Sequence, residues 1–364
     1  MTTPPPPLPG SVAACDGRGG IRLESRPVPR PGPGEMLLAL RCAGLCGTDL
    51  FKIRQGTVAA GTVLGHEVVG TVAALGSGVA GFAPGDRVVV PHHVACGTCA
   101  LCRRGGETLC PVFRENLLTP GGFAGHLLVG ERAVRSAAFG VPDHVTDEAA
   151  VFLEPAACVL RGIRHARLAE MVAPAEGPPQ PSPPVAVILG GGGMGLLHLV
   201  LLRALFPALR LVVSEPLEER RTLALRLGAG RAVPPVEAEA AARELSEGLG
   251  ADVAFDTVGG AAALEAGLAL TREGGTVVLF AHALPPQSAA FDLNTFFKAE
   301  RKILATYSSG LSEQREVFRM LCAHRFDPSP LVTHRLPLSR LGEAIALAEG
   351  RQALKVLLTP DGRA

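Results

Sequence analysis

Residues 185–195 read Val-Ala-Val-Ile-Leu-Gly-Gly-Gly-Gly-Met-Gly, an apolar run of strand length that ends in a GxGxxG turn at Gly190, Gly192 and Gly195. The glycines allow a tight turn and let backbone N–H groups approach a pyrophosphate at the start of the helix that follows. Gly193 and Met194 complete the turn. Strands are expected at 185–189, 211–214, 253–256 and 276–280, with helices near 193–206 and 218–227, an alternation that argues for a parallel sheet of right-handed βαβ units. Glu215 stands twenty residues after Gly195, at the end of the second strand. A carboxylate there accepts hydrogen bonds from ribose hydroxyls and repels a 2′-phosphate, so NAD is favoured over NADP. Arg220 and Arg221 follow closely and offer phosphate contacts that pull the other way. Thr257, Val258, Phe280 and Ala281, which end later strands on the same side, are further candidates for the cofactor site.

With 364 residues the chain exceeds the ~250–300 at which one core stops growing, so two domains are expected. Before the glycine turn the texture is different: short β-rich runs at 36–42, 68–75 and 87–90, punctuated by glycine, then a helix from Glu154 to about Leu168. Residues 173–184 hold six prolines in twelve positions and read as a flexible spacer. After the parallel-sheet region come a strand near 303–306, helices near 312–323 and 338–349, and a final strand near 353–358. Residues 1–10, with five prolines, no positive charge and no apolar core, read as a disordered tail rather than a targeting segment. The 35 basic and 34 acidic side chains leave a net charge of +1, which gives no footprint for nucleic acid, and no apolar run reaches the ~20 residues of a membrane span. A cytoplasmic protein is the expectation, its nine cysteines serving as metal ligands or buried thiols.

Four of those cysteines, Cys96, Cys99, Cys102 and Cys110, follow the spacing Cys-x2-Cys-x2-Cys-x7-Cys. Short Cys-x2-Cys loops let neighbouring thiolates converge on one zinc, and four such ligands close the coordination shell, which makes a structural site. A second set is more dispersed: Cys46, followed by Gly47-Thr48-Asp49, and His66-Glu67 after Gly65. A thiolate, an imidazole and a carboxylate hold zinc while leaving a position for water or substrate. Asp49 is placed to orient the His66 ring from the far side.

The segment from Gly65 to Gly70 followed by Gly76, the turn at Gly85-Asp86-Arg87-Val88 and the four-cysteine spacing together resemble the zinc-containing medium-chain alcohol and polyol dehydrogenases, over about residues 20–360. The resemblance implies an α/β chain made of a GroES-like, β-rich catalytic domain at 1–157 and 297–364, with the zinc lobe at about 92–114. A Rossmann cofactor domain with a doubly wound parallel sheet would occupy 158–296. It implies one catalytic zinc held by Cys46 and His66 together with Glu67 or Glu154, besides the structural zinc. Glu154, in Phe152-Leu153-Glu154-Pro155, matches the sorbitol-dehydrogenase-like branch. Thr48 matches the family's hydroxyl that hands on the substrate proton, whereas Phe51 stands where many relatives have the histidine that continues this relay. Relatives are homodimers or homotetramers.

The reaction so implied is oxidation of an alcohol, with zinc as Lewis acid and the nicotinamide as hydride acceptor. Glu154 and the segment Ala305-Thr306-Tyr307-Ser308-Ser309 point to a secondary hydroxyl on a polyol, sugar alcohol or cyclitol. A simple secondary alcohol or an amino-alcohol such as threonine is the alternative within the class. A zinc-free reductase of quinones or enones ought to lack both cysteine sets. A regulatory homologue without catalysis ought to have lost some of Cys46, Thr48, His66, Glu67 and Glu154.

Overall fold

A computed structural model describes residues 9–56, 58–172, 182–283 and 286–361. The chain divides into two compact units, one built from the described residues up to Ala157 and again from Ser309, the other from Cys158 to Ser308. Of the expected flexible spacer, residues 173–181 lie outside the described residues, as do 1–8 of the expected tail. The tail reading fails at its end: Pro9 and Gly10 open a strand, Pro9–Cys15, that pairs antiparallel with Ile21–Pro27.

The second unit is organised by one parallel six-stranded sheet in the order Arg231–Val233, Arg210–Ser214, Val185–Leu189, Ala251–Asp256, Thr271–Leu279, Lys302–Ala305. All five residues of Val185–Leu189 are buried, as a central parallel strand requires. The order reverses on either side of it, which is the 3-2-1-4-5-6 arrangement of a doubly wound nucleotide-binding fold. Helix Gly193–Leu205 follows the glycine turn and buries Leu196, Leu197, Leu199, Leu201 and Leu202. The return to the first unit was expected at 297, but it comes at Ser309. The reason is Lys302–Ala305, which bonds to Thr271–Leu279 and extends the parallel sheet by one strand.

The first unit is built around Met36–Gly44, which bonds to three strands: Glu67–Leu75, His126–Val129 and Lys355–Thr359. Its core gathers Met36, Leu38, Leu40, Val68, Leu127 and Val356. Arg87–Pro91 continues the sheet beyond Glu67–Leu75, and Val332–Pro337 continues it beyond Lys355–Thr359. The cysteine-rich lobe contains a single helical turn at Ala100–Arg103, started by the Cys99 sulfur accepting from the Cys102 N–H. A 3-10 turn at Glu107–Leu109 leads into Cys110, and buried Phe113 packs beneath.

Candidate metal and cofactor sites

Register explains how residues twenty apart meet. Gly44 lies opposite Glu67 in the antiparallel pair, so Cys46, just past one strand, and His66, just before the other, emerge at the same end of the sheet. Gly44 is needed for this approach, since a Cβ there would stand 1.9 Å from Glu67 Oε2. The donor atoms of Cys46, His66 and Glu67 all lie within 4.8 Å of one another. Glu154, in the first turn of helix Leu153–His165, is not one of that group.

Cys46 also caps helix Gly47–Arg54, its sulfur accepting from the Thr48 N–H at 3.5 Å. Asp49, buried, accepts from the N–H groups of Cys46 and Gly65 at 3.1 and 3.3 Å and lies 3.3 Å from His66 Nδ1. The ring is thereby fixed with Nδ1 towards Asp49 and Nε2 left for the cluster. Burial works against the Asp49 charge, but His66 and those N–H groups hold its carboxyl below the usual range. Burial also opposes a proton on His66, yet Asp49 and Cys46 raise it well above its ordinary value. The Thr48 hydroxyl takes no hydrogen-bond partner among the described residues, which leaves it available at the edge of the cluster.

Sequence reasoning missed Lys355. Its ammonium donates to both oxygens of Glu67, at 2.8 and 2.6 Å, and to the Leu45 carbonyl at 3.4 Å, with the Phe152 ring 5.5 Å away. Burial alone would lower this lysine, but Glu67, Cys46 and Glu154 raise it above its ordinary value. The signal was a single charge inside the apolar strand near 353–358. Two histidines were also missed. His92 stacks 4.6 Å from His66, and His93 follows at 3.6 Å from His92. Burial, with His66, His93 and Lys52 nearby, holds His92 well below its ordinary value.

In the lobe, the sulfurs of Cys99 and Cys102 lie 3.5 Å apart and those of Cys96 and Cys102 3.9 Å apart. A tetrahedron with metal–sulfur bonds of about 2.3 Å has edges of about 3.8 Å, whereas a disulfide bond is about 2.05 Å. All four donors lie within 4.8 Å of one another. Backbone N–H groups of Cys96, Cys99 and Cys102 point at the sulfurs of Cys110, Cys96 and Cys99 at 3.3–3.5 Å, a pattern that favours thiolates.

At the glycine turn, Gly190 has φ +93° and Gly195 is packed so closely that a Cβ would stand 1.8 Å from the Gly190 carbonyl. Gly192 caps helix Gly193–Leu205, so Gly193 and Met194 form its first turn. Glu215 is buried at the end of Arg210–Ser214; its carboxylate accepts from Gly191 N at 2.6 Å and Leu217 N at 3.0 Å. Arg220 reaches beside Gly192, where a Cβ would meet Nη1 at 3.9 Å. Arg221 instead donates to the carbonyls of Glu215 and Pro216. Thr257 donates to the Leu189 carbonyl at 2.7 Å, tying the fourth strand's exit to the turn. Val258 is exposed, and the N–H groups of Phe280 and Ala281 both bond the Asp256 carbonyl.

Residues 32–138 match the alcohol dehydrogenase GroES-like domain and residues 193–323 match the zinc-binding dehydrogenase domain. The chain is 30% identical to an L-threonine 3-dehydrogenase of Pyrococcus furiosus, over 93% of this chain and 94% of that one. It is also 30% identical to a sorbitol dehydrogenase of Bacillus subtilis, over 94% of each. The chain belongs to the zinc-containing medium-chain alcohol and polyol dehydrogenases. This dehydrogenase also superposes on the alcohol dehydrogenase TADH from Thermus sp. ATN1 with a TM-score of 0.82 at 27% identity, covering 96% of this chain and 99% of that one. As an alcohol dehydrogenase with a GroES-like and a Rossmann domain, it meets the fold expected from its sequence. Among its described residues no helix is long and apolar enough to cross a membrane.

Proposed function

We propose that this dehydrogenase oxidises a secondary hydroxyl of a polyol, sugar alcohol or cyclitol to the ketone, with NAD as acceptor, in the cytoplasm. The observation that carries the reading is the convergence of Cys46, His66 and Glu67 within 4.8 Å, one thiolate, one imidazole and one carboxylate at the end of a single strand pair. That donor set fits a catalytic zinc, and the sulfur spacing of Cys96, Cys99, Cys102 and Cys110 fits a structural one. When bound, the catalytic zinc supplies Lewis acidity that makes a hydroxyl acidic near neutral pH.

The chain's own residues do the rest. Asp49 holds the His66 ring, and Thr48, two residues from Cys46, offers a hydroxyl with no competing partner to receive the substrate proton. Phe51 accepts no proton, so the path onward from Thr48 does not run through that position. Glu67 is shared between the metal and Lys355, and Glu154, outside the three-donor cluster but with its charge felt at Lys355, is the other carboxylate that the resemblance offers. Glu215 supports NAD over NADP, because its buried carboxylate repels a 2′-phosphate. The glycine turn of Gly190, Gly192 and Gly195, with Arg220 beside it, would receive the pyrophosphate, and Thr257, Val258, Phe280 and Ala281 frame the strand ends around it.

A homodimer or homotetramer is the assembly we infer. Lys302–Ala305 is bonded on one side only within its sheet, and Leu293 and Phe297, just before it, are exposed. A single preparation tests these assignments: metal analysis, light scattering for the subunit count, and absorbance at 340 nm with NAD or NADP over a panel of polyols, secondary alcohols and L-threonine. Two zincs per chain and NAD-dependent polyol oxidation that vanishes in Cys46→Ala are expected. Full activity of metal-stripped Cys46→Ala would overturn the scheme, and turnover confined to L-threonine would move the substrate to the amino-alcohols.

A further inference from the structure

We infer that Arg132 is a positioning residue for the cysteine lobe: its guanidinium ties together the two arms of the loop that carries Cys96, Cys99, Cys102 and Cys110, and so sets how firmly that loop holds its zinc. The inference rests on the reading of the lobe as a zinc site and extends it to a side chain outside the ligand set. Arg132 lies in the first turn of helix Glu131–Ala137. Its Nε donates to the Val94 carbonyl at 2.9 Å, and its Nη2 donates to the Val112 carbonyl at 3.0 Å and to a carboxylate oxygen of Glu115 at 2.7 Å. Val94 stands two residues before the first cysteine and Val112 two residues after the last. One group therefore grips both arms where they leave the ligand set.

The backbone does not join the arms there. Among the described residues no backbone hydrogen bond links 93–95 to 111–114, and the arms first meet further out, where the Leu117 N–H donates to the His92 carbonyl at 3.1 Å. The apolar core of the lobe is small: Ala95, Cys110 and Phe113 are buried, with Val112 and the other three cysteines packed against them. A core of that size leaves the shape of the loop to its hydrogen bonds and its metal. Val94 is 1% exposed, so loss of the guanidinium would leave its carbonyl buried without that donor. A lysine could not replace it, because the planar guanidinium presents its donors in a fixed fork, whereas an ammonium is a single point. With the arms tied, the four sulfurs are kept within 4.8 Å of one another and little chain has to be ordered when zinc binds. Untied, the metal-free loop spreads over more conformations, and each of them competes with rebinding.

The test follows zinc release from the full-length protein into the chromophoric chelator 4-(2-pyridylazo)resorcinol. It is run in the Cys46→Ala background, where the catalytic ligand set is broken and the lobe metal is the one left to read. One zinc per chain should leave in a single slow phase. Adding Arg132→Met should speed that phase about tenfold, the low end of what losing a supporting hydrogen bond costs a metal site. Arg132→Lys should release as fast as Arg132→Met. Arg135→Met, on the same helix but paired with Glu131 on the surface, should release at the parent rate. Val72→Ala, a truncation in the core of the same unit, should lower the urea midpoint without speeding release. If Arg132→Met does not fold, Glu115→Gln removes the carboxylate that braces the guanidinium and should speed release about two- to threefold.

An unchanged rate in Arg132→Met with one zinc bound would overturn the inference. So would an equal acceleration in Val72→Ala, which would trace release to general loss of stability, and so would full rescue by Arg132→Lys. A Cys46→Ala protein that carries no zinc would take down the zinc reading of the lobe together with the inference built on it.

Discussion

Glu67 and Lys355 are both almost out of contact with water, the side chains 0% and 5% exposed, and each is the other's closest opposite charge at 2.6 Å. Removing one member of such a pair strands the other as a buried charge, which costs about 3–5 kcal/mol. Lys355→Met should therefore destabilise the metal-free protein by about that amount in urea unfolding. Zinc should restore much of the loss, because Glu67 then has a cation again, and equal losses with and without zinc would contradict the shared role of Glu67. No sequence pattern could have exposed this pair, whose members stand 288 residues apart. The same holds for His92, because a lone histidine carries no sign of whether its nitrogens will find partners. Cys46, His66 and Asp49 were singled out by the resemblance to the zinc dehydrogenases together with their donor chemistry, because each taken alone is an ordinary core or cap residue.

At the scale of elements, the lobe was readable from spacing alone: four sulfurs within fifteen residues leave the chain few ways to arrange them. What the spacing does not show is how the lobe grips its neighbour. Glu107, between Cys102 and Cys110, accepts from the Leu311 N–H at 2.8 Å, at the start of helix Leu311–Cys322. Glu313 accepts from Gly310 N at 2.9 Å in the same turn, and a Cβ on Gly310 would run into the Glu107 carboxylate. Glu107 thus satisfies one of the unpaired N–H groups at a helix start. Glu107→Ala should cost about 1–2 kcal/mol, as loss of a cap does. The loss should shrink once the lobe metal has been stripped, so a double comparison of urea midpoints, with and without chelator, reads the coupling directly. Additive losses would mean that the lobe and the helix are independent. The strands at 185–189 and 68–75 were legible from their apolar runs. The hairpin Pro9–Cys15 with Ile21–Pro27 was not, because its first strand opens on Pro-Gly within a proline-rich stretch.

Over the whole molecule, acid stability has an identifiable contributor. His198, fully buried in helix Gly193–Leu205, bonds the Met194 carbonyl at 2.8 Å and rests against Phe280 and Phe255. Burial pushes its ring down to about 4. Below pH 6.5 the unfolded chain takes up a proton that the folded one refuses, so stability falls as the pH drops from 6.5 to about 4, by about 3 kcal/mol in total. In His198→Leu the difference in unfolding free energy between pH 7 and pH 4.5 should shrink by about 2–3 kcal/mol. An identical pH dependence in both proteins would rule this histidine out. The division into two units was foreshadowed by the change from glycine-punctuated strands to alternating strands and helices. The point of return was misplaced, since a four-residue strand such as Lys302–Ala305 declares its sheet only by its pairing.

The central sheet of the first unit lays its strand Lys355–Thr359 beside Met36–Gly44, which is made about three hundred residues earlier. During synthesis, therefore, Cys46, His66 and Glu67 emerge from the ribosome long before the lysine that neutralises the carboxylate among them. Until then the early half must wait with an open sheet edge and an uncompensated acid, while the nucleotide unit is made and folds in between. A nascent chain that met zinc early would have Glu67 free to bind it, and arrival of the last strand would bring in the competitor. Pairing of Lys355–Thr359 with Met36–Gly44, rather than emergence of the ligands, is then the step at which this metal site takes its final form.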